Sequence, residues 1–138
     1  MTKHNRSIRN TLLAASMLAS PAFAADVTPD RLVNADKEPQ NWLMNHRSYD
    51  SQRFSPLARI NKENVKGLRL AYAVASGGSA INENLQATPL AEDGYLYVVD
   101  LWGTVYKIDV RSGDAGRIVW RMDPKQEKAP LSNRGAAL

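Results

Sequence analysis

The sequence predicts an all-β fold in which short strands follow one another as an antiparallel meander. Apolar residues after residue 67 come in short runs, turn residues such as Asp, Gly and Ser interrupt the runs, and no stretch shows the period of a long helix. A meander of this kind is the unit of a propeller blade or of a sandwich. With 138 residues, the chain has room for one small domain at most.

A short helix is predicted ahead of the strands, at residues 61–67. Asn61 suits a helix start, Glu63 lies in the first turn, and Gly67 is placed to end the helix. Further upstream, Asn41 is a candidate polar cap and Trp42 a large apolar anchor.

Five strands follow this helix in the prediction. Residues 95–100 give the strongest strand signal, and Glu92-Asp93-Gly94 supplies a turn before them. A second turn at Trp102-Gly103 leads into the next strand. The five predicted strands span residues 68–75, 86–90, 95–100, 104–109 and 118–121.

Residues 1–24 are predicted to be a signal peptide. Basic residues precede an apolar stretch at residues 11–20, and Ala22-Phe23-Ala24 forms a small-x-small cleavage site. The apolar run is too short to span a bilayer core of about 30 Å, and it ends at Pro21, which argues against a transmembrane helix. We therefore expect an exported chain.

Charge and cysteine content exclude several classes of function. The formal net charge is +4, but without Lys3, Arg6 and Arg9 of the leader there are 15 basic against 14 acidic residues, a net charge of +1. The remaining Lys and Arg are scattered without an aromatic-interleaved patch, so we expect no nucleic-acid partner. Because the chain has no cysteine, these residues supply no disulfide, thiolate nucleophile or CxxCH haem site.

The stretch from residue 41 to residue 69 carries a specific signature. Its spaced residues are Asn41-Trp42, Arg47, Phe54-Ser55, Ile60-Asn61, Asn64-Val65 and Leu68-Arg69. This arrangement resembles the N-terminal signature of the alcohol dehydrogenases that use pyrroloquinoline quinone (PQQ). One position departs from that pattern, because His46 stands where the family usually has glycine, and glycine alone adopts positive φ freely. A lone histidine is weak evidence for a metal site, so we interpret His46 as structural.

A second resemblance lies in Asp109, Ser112, Gly113 and Trp120. They are similar to the tryptophan-docking repeat of the eight-bladed quinoprotein β-propeller, although residues 114–117 make the spacing longer. The alternative is an ordinary buried tryptophan of any β-domain. A four-stranded blade needs roughly 40 to 50 residues, so we expect the first one to two blades of such a propeller, and repeat units need neighbours for stability.

The resemblance implies a domain division and a cofactor. Residues 25–67 would form an N-terminal arm with short helices, and residues 68–138 an incomplete propeller. The implied cofactors are PQQ and calcium or a lanthanide, with the metal ligands and a catalytic aspartate expected beyond Leu138. Two residues match family positions that contact the quinone: Gln86, where many members have glutamate, and Arg134, which would pair with a cofactor carboxylate.

Two further features qualify this site. Lys128 and Ala129 occupy positions where many members have adjacent cysteines that cover one face of the quinone, so the cofactor's surroundings would differ here. Other carboxylates do not form a catalytic cluster in the prediction. Asp93, Asp100, Asp109 and Asp114 each neighbour a turn glycine or end a strand, so turn chemistry accounts for them.

The resemblance implies a periplasmic enzyme that oxidises an alcohol by hydride transfer to PQQ and passes electrons to a cytochrome c or a membrane acceptor. We expect the 138-residue chain alone to be inactive. The alternative is a non-catalytic propeller scaffold that binds protein partners in the cell envelope. That scaffold usually has an anchoring cysteine and lacks the signature of residues 41–69, so the sequence favours the enzyme.

Overall fold

The computed structural model describes residues 26–77, 85–127 and 133–138. The predicted signal peptide and the Lys128 and Ala129 positions therefore lie outside the described residues. The chain forms helix α1 (Pro29–Val33), short 3₁₀ turns at Ala35–Lys37 and Val65–Gly67, and then four strands. The strands are β1 (Leu90–Glu92), β2 (Tyr95–Val99), β3 (Val105–Asp109) and β4 (Arg117–Met122).

The strands build one antiparallel sheet in the order β1-β2-β3-β4. Tyr97 lies opposite Leu90 on one side and Lys107 on the other, and a register shift between Lys107 and Ile108 marks a bulge against β4. The predicted all-β meander is thus confirmed, and the described residues contain one four-stranded sheet of the blade type. We call the end where β1 and β3 begin the upper end, and the opposite end the lower end.

The β1–β2 hairpin corrects the prediction for the first described strand. That strand was expected at residues 86–90, but β1 spans Leu90–Glu92. Pro89 has no N–H to donate, so hydrogen-bonded pairing begins after it. Asp93 and Gly94 both have positive φ, 47° and 83°, which is the geometry of a two-residue type I′ hairpin, and Glu92 consequently belongs to the strand.

The predicted strand at residues 68–75 is wrong. The segment does not join the sheet, and its side chains alternate in exposure from residue 71 to residue 77, as they do along an extended backbone. Its inward-facing side chains approach the start of β4, because a Cβ on Gly116 would lie 2.5 Å from Val74 Cγ2 and 2.9 Å from the Tyr72 ring. Alternating residues favour an extended backbone but do not specify its hydrogen-bond partner, and this segment lies against the sheet through its side chains.

The predicted helix at residues 61–67 is also shorter than expected. Only Val65–Gly67 is helical, as a 3₁₀ turn. Asn61 Oδ1 accepts hydrogen bonds from the N–H groups of Glu63 and Asn64, and Asn64 Oδ1 accepts one from the Asn61 N–H. These are the bonds of a helix N-cap, and the Val65 N–H also donates to the Asn61 carbonyl at 2.9 Å, so the predicted start at Asn61 is present. A seven-residue stretch is too short to offset helix nucleation, which leaves only the 3₁₀ turn.

Asn41 and Trp42 attach the N-terminal arm to the β1–β2 hairpin. Asn41 caps no helix, contrary to the prediction; it is buried, and its Oδ1 accepts a 2.9 Å hydrogen bond from the Asp93 N–H. Trp42 forms an antiparallel bridge with Ala91 through two backbone hydrogen bonds of 2.8 and 2.9 Å. The arm therefore covers the free edge of β1.

A partly buried ion-pair cluster strengthens this attachment. Arg31 donates from Nε and Nη2 to both carboxylate oxygens of Glu38, at 2.9 and 2.7 Å, and from Nη1 to Glu92 Oε1 at 2.6 Å. Glu92 is only 3% exposed, so it depends on Arg31 for its counter-charge. The hydrogen bond from Arg31, followed by one from Asn41, lowers the pKa of Glu38 from 4.5 to about 2.

The His46 departure is accommodated by its neighbour. Positive φ falls on Arg47, at 71°, and not on His46. Arg47 is buried and donates to Asp36 Oδ1 at 2.9 Å and to the Ala35 carbonyl at 3.3 Å. His46 Nδ1 accepts a 2.8 Å hydrogen bond from Arg53 Nε, so the site needs no glycine at residue 46.

Gly116→Ala should destabilise the protein by about 1–3 kcal/mol, because the added methyl group would collide with Val74 and Tyr72. Gly67→Ala is the matched control, since nothing lies within 4 Å of a Cβ at that position. Urea denaturation of the two variants checks this. A Gly116→Ala variant as stable as Gly67→Ala would show that the extended segment does not pack on the sheet.

Because of the Arg31–Glu38 pair, the free energy of unfolding should decrease in acid. Because the folded-state pKa of Glu38 is depressed to about 2, its contribution is fully present above about pH 4.5 and is lost as the pH falls towards 2. Glu38→Gln should therefore lose less stability than the unsubstituted protein between these pH values. Denaturation midpoints measured across this range check the prediction, with Glu63→Gln, which replaces an exposed carboxylate, as the control that should retain the full acid sensitivity.

Candidate functional site

Several chain segments meet at the upper end of the sheet. Four segments lie there: residues 85–89, which lead into β1; the β2–β3 turn at residues 100–104; residues 123–126, which follow β4; and residues 133–135. Both sequence-predicted cofactor residues, Gln86 and Arg134, belong to these segments. The upper end is therefore the candidate functional site.

Asp100 organises the β2–β3 turn. Its side chain is among the most deeply buried in the described part of the protein, at 2% exposure. Oδ1 accepts hydrogen bonds from the N–H groups of Trp102 and Thr104, both at 2.9 Å. The backbone adds an Asp100 N–H to Thr104 carbonyl bond of 3.0 Å and a Gly103 N–H to Asp100 carbonyl bond of 3.2 Å.

Tyr106 links this turn to the extended segment upstream. Its hydroxyl donates to Asp100 Oδ2 at 2.9 Å and accepts from the Gly77 N–H at 3.0 Å. Burial, with the hydrogen bond to Asp100, raises the pKa of Tyr106, so the hydroxyl stays protonated and donates at neutral pH. A small cavity of about 200 Å³ opens beside this network, and Arg121, Asp123 and Gln126 line its outer side.

The sequence did not reveal this network. The prediction placed Asp100 at the end of a strand and attributed its carboxylate to turn chemistry, but it did not pair Asp100 with Tyr106. The available signal was Asp-x-x-Gly-Thr between two strands, which places a carboxylate where the N–H groups of a tight turn point. The six-residue separation of Asp100 and Tyr106 becomes a contact only because β3 runs back beside β2.

Gln86 and Arg134 lie on neighbouring segments. The Thr88 N–H donates to the Arg134 carbonyl at 3.3 Å, which brings the segment that follows Gln86 against the segment that carries Arg134. Both side chains are exposed. Within the described ranges, the guanidinium of Arg134 has no hydrogen-bond or ion-pair partner, so its donors are available to a ligand.

Two other carboxylates that the sequence analysis attributed to turns, those of Asp93 and Asp109, lie at turns in the structure. Asp93 lies in the type I′ hairpin, and Asp109 Oδ1 accepts the Arg111 N–H at 3.1 Å. The side-chain hydrogen bond from Arg111 lowers the pKa of Asp109 from 3.8 to about 2. Across residues 26–77, 85–127 and 133–138, no group of three or more His, Cys, Asp or Glu side chains is arranged to hold a metal ion.

The predicted docking tryptophan lies on an open sheet face. Trp120 is 50% exposed, and all of β4 is exposed. It stands across from Lys107, whose Nζ lies 4.2 Å from the centroid of the Tyr95 ring and 5.3 Å from that of Tyr97. Among the described residues, this apolar and cationic face has no covering layer, as expected for a repeat unit viewed without its neighbour.

The order of the strands in the sheet and the signature of residues 41–69 place the chain in the class of β-propeller proteins, with the sheet as one blade. A family model described as "PQQ: Glucose/ethanol/alcohol dehydrogenase, beta-propeller domain" matches residues 42–138. The chain belongs to this family of quinoprotein dehydrogenases.

Curated relatives agree with this assignment. The chain is 37% identical to the quinohemoprotein alcohol dehydrogenase ADH-IIG of Pseudomonas putida over 89% of this chain and 18% of the relative. It is 35% identical to subunit 1 of methanol dehydrogenase [cytochrome c] of Methylobacterium organophilum, over 91% of this chain and 20% of the relative. The chain thus spans about a fifth of the length of these relatives.

Solved structures share the fold. The quinohemoprotein alcohol dehydrogenase from Comamonas testosteroni matches with a TM-score of 0.66 at 34% identity, over 81% of this chain and 17% of that chain. A europium-containing methanol dehydrogenase matches with a TM-score of 0.58 at 31% identity, over 71% of this chain and 16% of that chain.

The residues present fit one edge of a PQQ site. An exposed guanidinium offers the planar donor fork that a carboxylate of the quinone requires, and the Gln86 amide can donate or accept a hydrogen bond. The Thr88–Arg134 backbone bond brings these two segments together. Because both side chains are exposed among the described residues, they would hold one side of the cofactor.

Tyr106→Phe should cost about 1–3 kcal/mol, because it leaves the buried Asp100 Oδ2 and the Gly77 N–H without their partner. Tyr97→Phe is the control, since Tyr97 lies on the opposite face, and its ring contact with Lys107 would persist. Chemical denaturation compares the two variants. An equal, small effect of both would contradict the proposed importance of the hydroxyl network.

Proposed function

We propose that the chain is the N-terminal part of a periplasmic quinoprotein that oxidises alcohols by hydride transfer to PQQ. The observation that carries this proposal is the family match over residues 42–138. The meeting of the Gln86 and Arg134 segments at the upper end of the sheet supports it. PQQ, when bound, would supply the hydride acceptor.

The chain's own residues would bind and orient the cofactor. Arg134 would hold a quinone carboxylate through a charge-assisted pair, and Gln86 would donate or accept a hydrogen bond at the ring system. Gln86 carries no charge, so it would add less electrostatic field than the glutamate of many family members. Neither residue serves as a base, and both act by positioning.

The metal and the catalytic base would come from elsewhere in the protein. We propose calcium or a lanthanide as the Lewis acid, with its ligands and an aspartate base outside these 138 residues. A europium-containing methanol dehydrogenase among the related structures supports a lanthanide as one choice. The 138-residue chain alone would then be inactive.

Export and electron transfer complete the proposal. Residues 1–24 would direct the protein to the periplasm, and electrons would pass to a cytochrome c or a membrane acceptor. The name of the Methylobacterium relative, methanol dehydrogenase [cytochrome c], supports the first acceptor. In the described part of the chain, no helix combines the length and hydropathy needed to cross a bilayer.

The direct test is to purify the whole gene product, load it with PQQ and either Ca²⁺ or a lanthanide, and measure alcohol oxidation with an artificial electron acceptor. We expect alcohol-dependent dye reduction that requires both the quinone and a metal ion. Failure to bind PQQ, or binding without oxidation of any alcohol tested, would contradict the enzyme and favour the non-catalytic propeller scaffold.

Arg134→Ala should weaken PQQ binding by about ten- to a hundredfold, the loss expected for one charge-assisted pair. Arg117→Ala is the matched control, because Arg117 is exposed at the lower end of the sheet and its nearest counter-charge, Asp109, is 3.9 Å away. Equilibrium dialysis against PQQ measures both constants. Equal affinities of the two variants would remove Arg134 from the cofactor site.

A further inference from the structure

We propose that Gly103, at the tip of the β2–β3 turn, positions Arg134 for the cofactor carboxylate. The inference rests on the proposed function and assigns a new role to a residue that would not itself touch the quinone. At the upper end of the sheet, several segments pack around this one glycine.

The turn that carries Gly103 is fixed from below by Asp100. The Asp100 carboxylate accepts the N–H groups on either side of Gly103, from Trp102 and Thr104, and Tyr106 holds the carboxylate in turn. Gly103 has φ of +80°, a conformation that favours glycine. The bonds from Thr104 and Tyr106 are buried and the bond from Trp102 is part-buried, so they define the conformation of the turn, which serves as a platform.

Residues beyond β4 lie directly on this platform. A Cβ on Gly103 would lie 3.1 Å from Gln126 Nε2, 3.4 Å from Pro124 Cγ and 3.6 Å from Asn133 Nδ2. Gln126 Nε2 also donates to the Trp102 carbonyl at 2.6 Å. The first of these distances is tighter than most contacts of a real Cβ, whereas the other two are ordinary van der Waals contacts. A side chain that extends beyond its Cβ at residue 103 would therefore reach Gln126 and Asn133.

Arg134 is held between this platform and the approach to β1. On one side, Asn133 Nδ2 lies where it would be 3.6 Å from a Cβ on Gly103, and Asn133 Oδ1 accepts the Gly135 N–H at 3.0 Å. On the other side, the Thr88 N–H donates to the Arg134 carbonyl. The backbone on both sides of the guanidinium is thus fixed, and a displacement of Asn133 would move Arg134.

Such a displacement matters because a bidentate arginine–carboxylate pair needs alignment of two donors with two acceptors. A side chain longer than a methyl group at residue 103 would press on Gln126 and Asn133 and tilt the 133–135 segment. Cofactor affinity would fall, although the guanidinium itself would be unchanged.

The test compares Gly103→Asn with Gly113→Asn in the whole gene product. Gly113 has nearly the same φ, +79°, but lies at the lower end with nothing within 4 Å of a Cβ. Asparagine tolerates positive φ better than other side chains, so both variants bear similar backbone strain. The readouts are the dissociation constant for PQQ by equilibrium dialysis and the thermal midpoint of each apoprotein.

Gly103→Asn should weaken PQQ binding about tenfold, within the range for a misaligned charge-assisted pair, and Gly113→Asn should stay within about twofold of the unsubstituted protein. In an Arg134→Ala background, Gly103→Asn should have no further effect, since a residue that acts through Arg134 is non-additive with it. Asn133→Ala, which removes the Gly135 turn bond and leaves Gly103 in place, should also weaken binding.

The results distinguish a failure of the proposed function from a failure of the positioning role of Gly103. If the unsubstituted protein binds no PQQ, the proposed function falls and this inference falls with it. If Arg134→Ala weakens binding but Gly103→Asn matches Gly113→Asn, or if Gly103→Asn weakens binding equally with and without Arg134, the positioning role is wrong and the proposed function stands. Should Gly103→Asn not fold, unchanged affinity of Asn133→Ala overturns the inference on its own.

Discussion

The Asp100 carboxylate is the interaction on which the upper end of the sheet depends. A buried carboxylate is costly unless its lone pairs are satisfied, and here two backbone N–H groups and the Tyr106 hydroxyl satisfy them. The same bonds set the β2–β3 turn, so one side chain links strand pairing to the surface on which residues 133–135 lie. Loss of this carboxylate would disturb the hairpin and the Arg134 segment together.

The lower end is held by a comparable device. Arg31 pairs with both Glu38 and the buried Glu92, while Asn41 hydrogen-bonds to Asp93 in the β1–β2 turn. These contacts join the arm to the sheet far from the candidate site. By contrast, β4 presents an exposed apolar face around Trp120, consistent with a repeat that buries its faces against neighbouring repeats. The blade is therefore well fixed at its two ends and open along its face.

Much of this architecture could be predicted from sequence because it is local. The turns are marked by Asp93-Gly94, Trp102-Gly103 and Ser112-Gly113. The strands between them begin and end within a residue or two of their predicted bounds. The prediction failed where contacts with the rest of the protein decide whether a segment forms a strand or a helix. Residues 68–75 have strand-like alternation but lie against the sheet through Tyr72 and Val74. Residues 61–67 keep the Asn61 cap but form only a short 3₁₀ turn, because the stretch is exposed and too short to form a longer helix without packing. For the site, sequence resemblance named Gln86 and Arg134, but the Thr88–Arg134 bond that joins their segments spans 46 positions and follows only from the fold.

We propose that the upper end of this blade forms one edge of a PQQ site, and an experimental structure of the whole gene product with bound quinone would test this. We expect the Arg134 guanidinium within about 2.7–2.9 Å of a quinone carboxylate, with the Thr88–Arg134 bond and the Asp100-centred turn intact. A quinone bound at the lower end, or an Arg134 side chain directed away from the cofactor, would contradict it.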